Sequence, residues 1–446
     1  MTEPRSARAV VTALADDATF AELPAPTRNS RPDGPLAWPG YDASRARAVE
    51  RTGEQESVVC GTARIGGTRA VLIAFEFGFL GGSLGERTGD RLEAAYTYAR
   101  ERRFPVVPLV ATGGSRMQEG MLALSQLQRV ARQSALTREA GLAQVAVLRD
   151  PTTGGGWATL GAGADVTLAL PGAQVGFAGS RVRPADADPA AYTAEAQVTA
   201  GSADAVVRPE ELRETLGRWL RLLTCPSTTP VPPPEPLGGS AVLPATGWDA
   251  VRRARSPRRP RAAAYLDAYF TDRAVISGDR CGGTDPDGML CGFGTHEGRT
   301  VAYAAQTGTA TRPAGYRTAA RLIRLADRLG IPVLTLVDTP GAANDAEAER
   351  QGAGPAIADL FAAVAGARTP VTTLVIGEGG SGGALALAAP GNTWATPDSY
   401  FSVIAPELAA AILKRPPREV ETTADQLRIR PQDLVELGVI RGTVGP

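Results

Sequence analysis

The chain contains the same unusual segment twice, a short apolar strand that runs directly into glycines. In the first half FPVVPLVATGG ends in Gly113 and Gly114, and in the second half IPVLTLVDTPG ends in Gly341. A second glycine turn follows each of them at the same spacing, since 41 residues separate Gly114 from Gly155 and 41 separate Gly341 from Gly382. Matched turns at matched spacing predict two copies of one domain rather than a many-copy repeat.

Each repeated strand is preceded by a helical pattern with one apolar face. RLEAAYTYARERR comes before the first strand, and YRTAARLIRLADRLG comes before the second. Alternation of strands with helices predicts an α/β fold in which helices cover a sheet.

Changes of composition along the chain mark the expected domain boundaries. Residues 1–50 are polar and contain many prolines, which is typical of a leader segment or a loosely attached helix. Residues 226–262 begin with PSTTPVPPPEPLGG and continue into an arginine cluster, which predicts a solvated Pro/Arg-rich linker. We therefore expect an N-terminal domain over 51–225 and a C-terminal domain over 263–446.

The charge balance and the rare residue types argue against several functions. With 47 basic and 47 acidic residues the net charge is zero, whereas proteins that bind nucleic-acid backbones carry a basic excess. Cys60, Cys225, Cys281 and Cys291 form no CxxC pair, so we expect neither a disulfide framework nor a metal site. The single histidine, His296, leaves little room for a histidine-based triad, and no P-loop motif occurs.

The apolar runs are too short for a membrane helix, because Glu76 interrupts VLIAFEFGFL and Asp165 interrupts the run after Trp157. A spanning helix needs about 20 apolar residues. We expect a cytoplasmic protein without a membrane segment.

The glycine turns have the composition of a main-chain binding site. Where a strand delivers glycines to a helix start, backbone N–H groups lack partners and add to the helix dipole. Glycine also lets a ligand oxygen approach where a Cβ would block it. The alternative is a tight turn that serves packing only. Its recurrence in TGGSR (112–116) and GEGGSGGAL (377–385) favours an oxyanion pocket in each half.

Longer segments resemble the carboxyltransferase subunits of acetyl-CoA carboxylase. FEFGFLGGSLGERTGDRLEAA (75–95), ATGGSRMQEG (111–120), DPTTGGG (150–156) and GFAGSR (176–181) resemble the β subunit. GWDAVRRARSPRRPRAAAYLDAYF (247–270), PAGYRTAARLIRLAD (313–327), LVDTPGAA (336–343), GEGGSGGALAL (377–387) and YFSVIAPELAAAILK (400–414) resemble the α subunit. The chain is thus similar to a fused β–α carboxyltransferase of the crotonase-like superfamily.

The resemblance implies two tandem crotonase-like (ββα-spiral) domains, with acyl-CoA on the N-terminal side and biotin on the C-terminal side. In the family each active site lies between the N-domain of one subunit and the C-domain of another. The implied activity moves a carboxyl group from carboxybiotin to the α-carbon of an acyl-CoA, giving malonyl-CoA when the acyl group is acetyl. A homo-oligomer, dimer or higher, is therefore expected.

The resemblance also implies roles for particular residues. The main-chain N–H groups of Gly113, Gly114 and Ser115 would hold the thioester oxygen, and those of Gly382, Gly383 and Ala384 would hold the biotin carbonyl oxygen. Further contacts to the cofactor groups are expected from Gly81, Gly82, Ser83, Arg116, Gly379, Gly380 and Ser381. For 81–83 a plain strand–helix turn is the alternative, and for Arg116 a structural role holding Glu119 is favoured over phosphate steering.

Some family features are missing from this sequence. The four-cysteine zinc ribbon of many β subunits is absent, and ANDAEAE (343–349) replaces the family's residues after TPGA. The only lysine, Lys414, is not in a biotinyl-lysine motif, and there is no ATP-grasp region. Biotin carboxyl carrier protein and biotin carboxylase are therefore expected as partners in trans.

Two other functions remain open at this point. A biotin-independent malonyl-thioester decarboxylase or acyltransferase would use the same enolate pocket, but it needs only one of the two turns. A non-catalytic, partner-binding subunit would need neither. The acyl group itself is not specified by these motifs.

Overall fold

The computed structural model describes residues 6–29, 31–239 and 242–445. The chain forms two compact units, Met1–Thr224 and Cys225–Pro446, and each contains one eight-stranded sheet.

The sheet of the first unit begins with antiparallel strands and continues as a parallel sheet. Its spatial order is β1-β2-β3-β4-β5-β6-β8, with β7 paired to the end of β5. Pairing is antiparallel from β1 to β3 and parallel from β3 onward. The strands are β1 (Ala21–Glu22), β2 (Val58–Ile65), β3 (Thr68–Phe75), β4 (Val106–Thr112), β5 (Val145–Thr153), β6 (Val166–Ala169), β7 (Val175–Gly176) and β8 (Ala205–Val206).

The helices of the first unit are α1 (Ala7–Leu14), α2 (Tyr41–Thr52), α3 (Glu86–Arg102), α4 (Gly120–Glu139), α5 (Gly154–Gly156), α6 (Ala194–Thr199) and α7 (Leu212–Leu223). Helices α3 to α6 lie between parallel strands, which need such crossover connections. A π-helical turn over Trp157–Gly161 continues α5.

The sheet of the second unit repeats this plan. Its order is β16-β14-β13-β12-β11-β10-β9, with β15 paired to the end of β13. The strands are β9 (Asp272–Ile276), β10 (Met289–His296), β11 (Arg299–Gln306), β12 (Val333–Thr339), β13 (Val371–Gly380), β14 (Thr393–Ala395), β15 (Tyr400–Ser402) and β16 (Gly442–Thr443).

The helices of the second unit are α8 (Gly247–Ala254), α9 (Ala262–Tyr269), α10 (Pro313–Leu329), α11 (Ala346–Arg350), α12 (Ala353–Gly366), α13 (Ser381–Leu385), α14 (Pro406–Ile412), α15 (Val420–Gln426) and α16 (Pro431–Glu436). The longest of them, α10, starts with Pro313 in its first turn and ends at Leu329, which is followed by Gly330 with φ +67°. Proline at the start and a left-handed glycine just beyond the end are both favourable at helix termini.

The two units match strand by strand, which confirms the predicted pair of tandem α/β domains. Each antiparallel hairpin, β2–β3 and β10–β11, closes with two residues of positive φ, Gly66–Gly67 and Glu297–Gly298. The central strands β4 and β12 are buried along their whole length. Such continuous apolar runs are typical of parallel strands with both faces covered.

The predicted leader contains elements that pack on the first sheet. Helix α1 buries Val10, Val11 and Leu14, and its first N–H group, on Ala7, donates to the Glu76 carboxylate at 2.8 Å. Strand β1 pairs with β2. These contacts make the segment part of the core of the first unit.

The segment predicted as a solvated linker also contains ordered, buried structure. Helix α8 buries Ala250 and Val251 in a cluster with Tyr400. Arg259 is only 8% exposed and donates two hydrogen bonds of 2.9 Å to the buried Asp338. The expectation of solvated arginines is therefore wrong for Arg259, because Asp338 supplies the counter-charge that lets a guanidinium be buried.

We expect Leu14→Ala to lower the free energy of unfolding by about 2–4 kcal/mol, because it leaves a cavity under α1. Thr12→Ala, on the exposed side of the same helix, is the matched control and should change stability little. Urea unfolding of both variants measures the difference. Equal stabilities would mean that α1 contributes no packing energy.

Candidate active site

The first glycine turn follows β4 and has one main-chain donor without a protein partner. The Gly113 N–H donates to Gly81 O at 2.9 Å, and the Gly114 N–H donates to Thr112 Oγ1 at 3.0 Å. Gly114 has φ +109°, a conformation that favours glycine. The Ser115 N–H has no acceptor among the described residues. Gly113 and Gly114 therefore shape this turn with their N–H groups, and the Ser115 N–H is the one that is left free to bind a ligand.

The turn after β5 lies directly against this one, and sequence analysis did not include it among the site residues. A Cβ on Gly154 would lie 3.3 Å from the Cα of Gly114. Gly154 begins the short helix α5 and donates its N–H to Phe177 O at 3.1 Å, and the N–H groups of Gly155 and Gly156 have no intrahelical acceptor. DPTTGGG is the sequence signal for this turn, and the parallel pairing of β4 with β5, in which Thr112 lies opposite Thr152, brings it against the first turn. We call these two turns, 113–115 and 154–156, the first cradle.

The loop before α3 supports the first cradle from behind. Leu80, Gly81 and Gly82 all have positive φ, and a Cβ on Gly82 would lie 2.1 Å from Ala111 O. The Ser83 hydroxyl accepts a hydrogen bond of 3.2 Å from Arg116 Nε. These contacts give residues 81–83 a structural function that explains their glycines.

Arg116 is buried under the same turn, with 1% of its side chain exposed. Its guanidinium pairs with Glu56 and reaches Glu119 Oε1 at 3.5 Å, and it also donates to Ser83 O at 2.8 Å. Tyr41 donates its hydroxyl to Glu119. The prediction that Arg116 contacts a cofactor is therefore wrong, because its donors are engaged inside the core; the structural alternative is the one observed.

The ionisation of this network follows from burial and pairing. Burial raises the pKa of Glu56, but the attraction and hydrogen bonds of Arg116 outweigh it, so the pKa of Glu56 lies below its usual value. Burial lowers the pKa of Arg116, and Glu56 more than reverses this. The pair stays charged around neutral pH and fixes the turn that follows the first cradle.

The second unit contains the corresponding pair of turns. The Gly341 N–H donates to Thr339 Oγ1 at 3.1 Å, as Gly114 does to Thr112, and Gly341 also has positive φ. Pro340 occupies the place of Gly113. Because the Gly113 N–H is engaged within the chain, proline at this place removes no donor from the cradle. The Ala342 N–H corresponds to that of Ser115 and likewise has no acceptor among the described residues.

The turn after β13 faces Pro340–Ala342. A Cβ on Gly380 would lie 2.1 Å from Pro340 O, and one on Gly383 would lie 2.6 Å from Ala342 N. Gly382 is exposed, and a Cβ there would meet nothing within 4 Å. We call the turns 340–342 and 380–384 the second cradle.

Gly379, Gly380 and Ser381, which are also predicted to contact the cofactor groups, differ in their surroundings. Gly379 packs against the ring of Phe401, since a Cβ would lie 2.6 Å from it, and Gly380 allows the close approach to Pro340. Ser381 is exposed and has φ +61° at the strand–helix junction, where α13 begins. Of these three, Ser381 is the one whose side chain faces solvent.

The cradles offer main-chain donors rather than acid–base side chains. His296 stacks on the Tyr269 ring at 3.7 Å, and its Nδ1 bonds to Tyr269 O at 2.8 Å, so its position is structural. Within the described ranges no group of three or more His, Cys, Asp or Glu side chains is arranged to hold a metal ion. Two apposed turns of N–H groups can stabilise an oxygen that gains negative charge in a reaction. No helix in the described part of the chain is both long and apolar enough to cross a bilayer.

Two family profiles match the chain, one in each unit. The profile described as carboxyl transferase domain matches residues 38–203, and the profile described as acetyl co-enzyme A carboxylase carboxyltransferase-like matches residues 243–445.

Curated relatives cover most of the chain. The acetyl-coenzyme A carboxylase carboxyl transferase subunits beta/alpha of Saccharopolyspora erythraea are 40% identical over 423 residues, which is 91% of this chain and 74% of that protein. The protein of the same name from Salinispora arenicola is 38% identical, and the match covers 97% of this chain and 80% of that protein. A probable biotin-dependent acyl-coenzyme A carboxylase beta3 subunit of Mycobacterium bovis is 34% identical and covers 91% and 84%.

Solved structures share the fold. A transcarboxylase 12S hexamer structure with methylmalonyl-coenzyme A and methylmalonic acid bound has a TM-score of 0.81 at 21% identity, covering 99% of this chain and 87% of that chain. A single-chain, multi-domain long-chain acyl-CoA carboxylase has a TM-score of 0.74 at 19% identity, and the match covers 99% of this chain and 46% of that chain. The expected crotonase-like architecture is thereby confirmed.

We expect Arg116→Met to destabilise the first unit by about 3–5 kcal/mol, because the buried Glu56 carboxylate loses its partner. In the variant, burial raises the pKa of Glu56 above its unfolded value. Its loss of stability is then largest near neutral pH and shrinks as the pH falls through that raised pKa.

Urea unfolding between pH 4 and pH 7 measures both effects. Arg132→Met, on the exposed face of α4, is the control. A loss of stability that is the same at every pH would contradict the assigned ion pair.

Proposed function

Because the chain belongs to the family of fused β/α carboxyltransferase subunits of acetyl-CoA carboxylase, we propose that its two cradles divide an acyl-CoA carboxyltransfer between them. The activity is that of a biotin-dependent acyl-CoA carboxyltransferase. The observation that carries the division of work is the presence of an intact pair of donor-bearing turns in each unit. A decarboxylase needs one such pair, and a non-catalytic subunit needs none.

The first cradle takes the thioester oxygen of the acyl-CoA. Removal of a proton from the α-carbon places negative charge on that oxygen, and the N–H groups of Ser115 and of the first residues after Gly154 surround the place where it develops. Each donor of this kind contributes about 3–4 kcal/mol to the stability of the transition state. Gly113 and Gly114 keep the opening free of side chains.

The second cradle takes the ureido carbonyl oxygen of biotin. Its donors are the N–H of Ala342 and those of Gly382, Gly383 and Ala384, and the open space at Gly382 fits a planar group that approaches from outside. Bound carboxybiotin supplies the carboxyl group and, after losing it, a ureido nitrogen that takes up the α-proton. The chain itself orients this group and stabilises charge on its oxygen.

The biotin is delivered by a partner. The sequence has one lysine, Lys414, between Leu413 and Arg415, and this context is no biotinyl-lysine motif. We propose biotin carboxyl carrier protein and biotin carboxylase as partners in trans, as the similarity to carboxyltransferase subunits implies.

A homo-oligomer, a dimer or higher, is supported by large exposed apolar side chains in both units. Met117, Met121 and Phe177 are more than 70% exposed, and Ile412 is 68% exposed. Exposed apolar side chains that join into a patch mark interaction surfaces, and Met117 and Met121 lie only four residues apart. All four cysteines are free, which fits a cytoplasmic location.

Incubation of the protein with a carboxylated biotin donor and a panel of acyl-CoAs tests this function, with avidin as the control. We expect carboxylation of an acyl-CoA that avidin abolishes. Loss of CO2 from malonyl-CoA that is insensitive to avidin would instead establish a decarboxylase. If neither reaction occurs, the proposal of an enzyme is wrong.

Gly382→Val should lower biotin-dependent transfer at least 100-fold and leave the KM for acyl-CoA unchanged, because it fills the second cradle only. The position has ordinary φ and open space, so the fold tolerates the side chain. Gly383 is a poorer choice, since a Cβ there lies 2.5 Å from the Tyr316 hydroxyl and disturbs packing.

Gly354→Val is the matched control, because this helical glycine in α12 also has nothing within 4 Å of an added Cβ. Steady-state kinetics with both substrates varied provides the measurement. Equal rates for the two variants would remove the second cradle from the mechanism.

A further inference from the structure

Two buried polar atoms beneath the second cradle have no hydrogen-bond partner among the described residues. They are the hydroxyl oxygen of Tyr316 and Oε1 of Gln306, and both side chains are 0% exposed. The Thr311 hydroxyl lowers the pKa of Tyr316 as a nearby hydrogen-bonding group would, but no bond between the two hydroxyls meets the usual distance and angle limits. Buried polar groups are nearly always paired, so each exception needs an explanation.

Both side chains are directed at Gly383 in the second cradle. The position that a Cβ would take on Gly383 lies 2.5 Å from Tyr316 Oη and 2.6 Å from Ala342 N. The phenol and one of the cradle donors therefore converge beside this glycine, where no side chain intervenes. Gln306 Nε2 donates to Gly383 O at 3.1 Å and to Thr311 Oγ1 at 3.3 Å.

The first unit has no equivalent of the two polar side chains, Gln306 and Tyr316, that lie beneath the second cradle. Gln306 is the last residue of β11 and Tyr316 is the fourth residue of α10, and the corresponding places in the first unit are held by Phe75 at the end of β3 and Gly89 in α3. A Cβ on Gly89 would lie 2.0 Å from Gln126 Oε1, so a tyrosine has no room there.

The same difference between an apolar and a polar residue occurs at a third position, which lies between the other two in the sequence of each unit. Leu84 forms the bridge to Ser115, whereas Thr311 forms the matching bridge to Ala342. At these three positions the first unit is thus apolar and the second is polar, although the Arg116–Glu56 ion pair also lies beneath the first cradle. A need that is common to both copies does not explain the polar set.

We propose that the Tyr316 hydroxyl is a further hydrogen-bond donor to the oxygen bound in the second cradle, and that Gln306 is a positioning residue for the cradle. The proposal rests on the function given above, in which this oxygen is the ureido oxygen of biotin. By holding Gly383 O, Gln306 orients the peptide whose other end is the Ala384 N–H. The bound oxygen is reached from the side of Gly383, where there is no Cβ.

The protonation state of Tyr316 agrees with a donor. Burial raises the pKa of Tyr316 above its ordinary value, and the effect of Thr311 is smaller and opposite. The phenol therefore keeps its proton throughout the neutral range. It offers an O–H to an oxygen that gains charge and does not act as a base.

Because the Tyr316 hydroxyl is unpaired, removing it is expected to have opposite effects on stability and on activity. A buried hydroxyl without a partner is unfavourable for folding, so Tyr316→Phe is expected to leave the melting temperature unchanged or to raise it. The same change removes a donor from the bound oxygen. A residue with a purely structural role would not separate these two quantities.

The experiment compares wild type, Tyr316→Phe and the control Tyr303→Phe, in which another buried tyrosine of the second unit loses its hydroxyl. For Tyr316→Phe we expect kcat of biotin-dependent transfer to fall about 10-fold and the Kd for free biotin, measured by calorimetry, to rise severalfold. The KM for acyl-CoA should stay at its wild-type value. The melting temperature should stay at its wild-type value or increase. The control loses a hydroxyl that is paired with Arg273, so it should match wild type in kcat, biotin affinity and KM and melt at the same or a lower temperature.

Wild-type kcat and biotin affinity in Tyr316→Phe would overturn the donor role, and so would a fall in kcat that comes with a lower melting temperature and a higher KM for acyl-CoA. Gln306→Met keeps the size of the side chain and removes its hydrogen bond to Gly383. It should lower kcat severalfold, and an unchanged kcat would overturn the positioning role. If wild type transfers no carboxyl group, the proposed function fails instead, which is a different outcome from equal activity of the variants.

Discussion

The close approach of two main-chain turns at the ends of neighbouring parallel strands is the constraint on which the site depends. Gly114 meets Gly154 in one unit, and Gly380 meets Pro340 in the other, at distances that leave no space for a Cβ on Gly380. The parallel register of β4 with β5 and of β12 with β13 brings these turns together. Both strand pairs show a register shift just before the turn, which lets the chain leave the sheet with N–H groups directed outward.

The two copies differ in how they fix the turns from below. The first unit uses the buried ion pair of Arg116 with Glu56, which is bound on all sides by protein groups. The second unit has Ala343 at the place of Arg116, and the residues beneath its cradle are neutral and only partly satisfied. A closed network suits a rigid wall behind a large, flexible substrate. Unsatisfied polar atoms are compatible with a ligand that completes the network when it arrives.

The duplication, the α/β class and the second turn of each pair follow from patterns in the sequence. The 41-residue spacing is the main support for the predicted duplication, because it puts the ends of matched strands at equal distances in both halves. The sequence does not show which N–H groups the chain consumes itself. Whether Gly113 is a donor depends on Gly81 O, which is distant in sequence and is brought near by the positive φ of 80–82. For Arg116 the sequence favours a structural role but does not identify Glu56 as its main partner. Burial of Arg259 is not predictable either, since a buried arginine and a solvated one look the same until Asp338 is placed beside it.

Proline at position 340 illustrates what a binding site made of backbone allows. The copy with Pro340 and the copy with Gly113 keep the same arrangement of donors, because every residue type except proline carries the same N–H and the exchange falls where that N–H is already bound. Side chains around the opening can therefore drift over generations without erasing the chemistry. A scaffold of this kind is well suited to recruitment: new acyl groups can be accommodated by changing the walls, while the reactive centre is inherited intact.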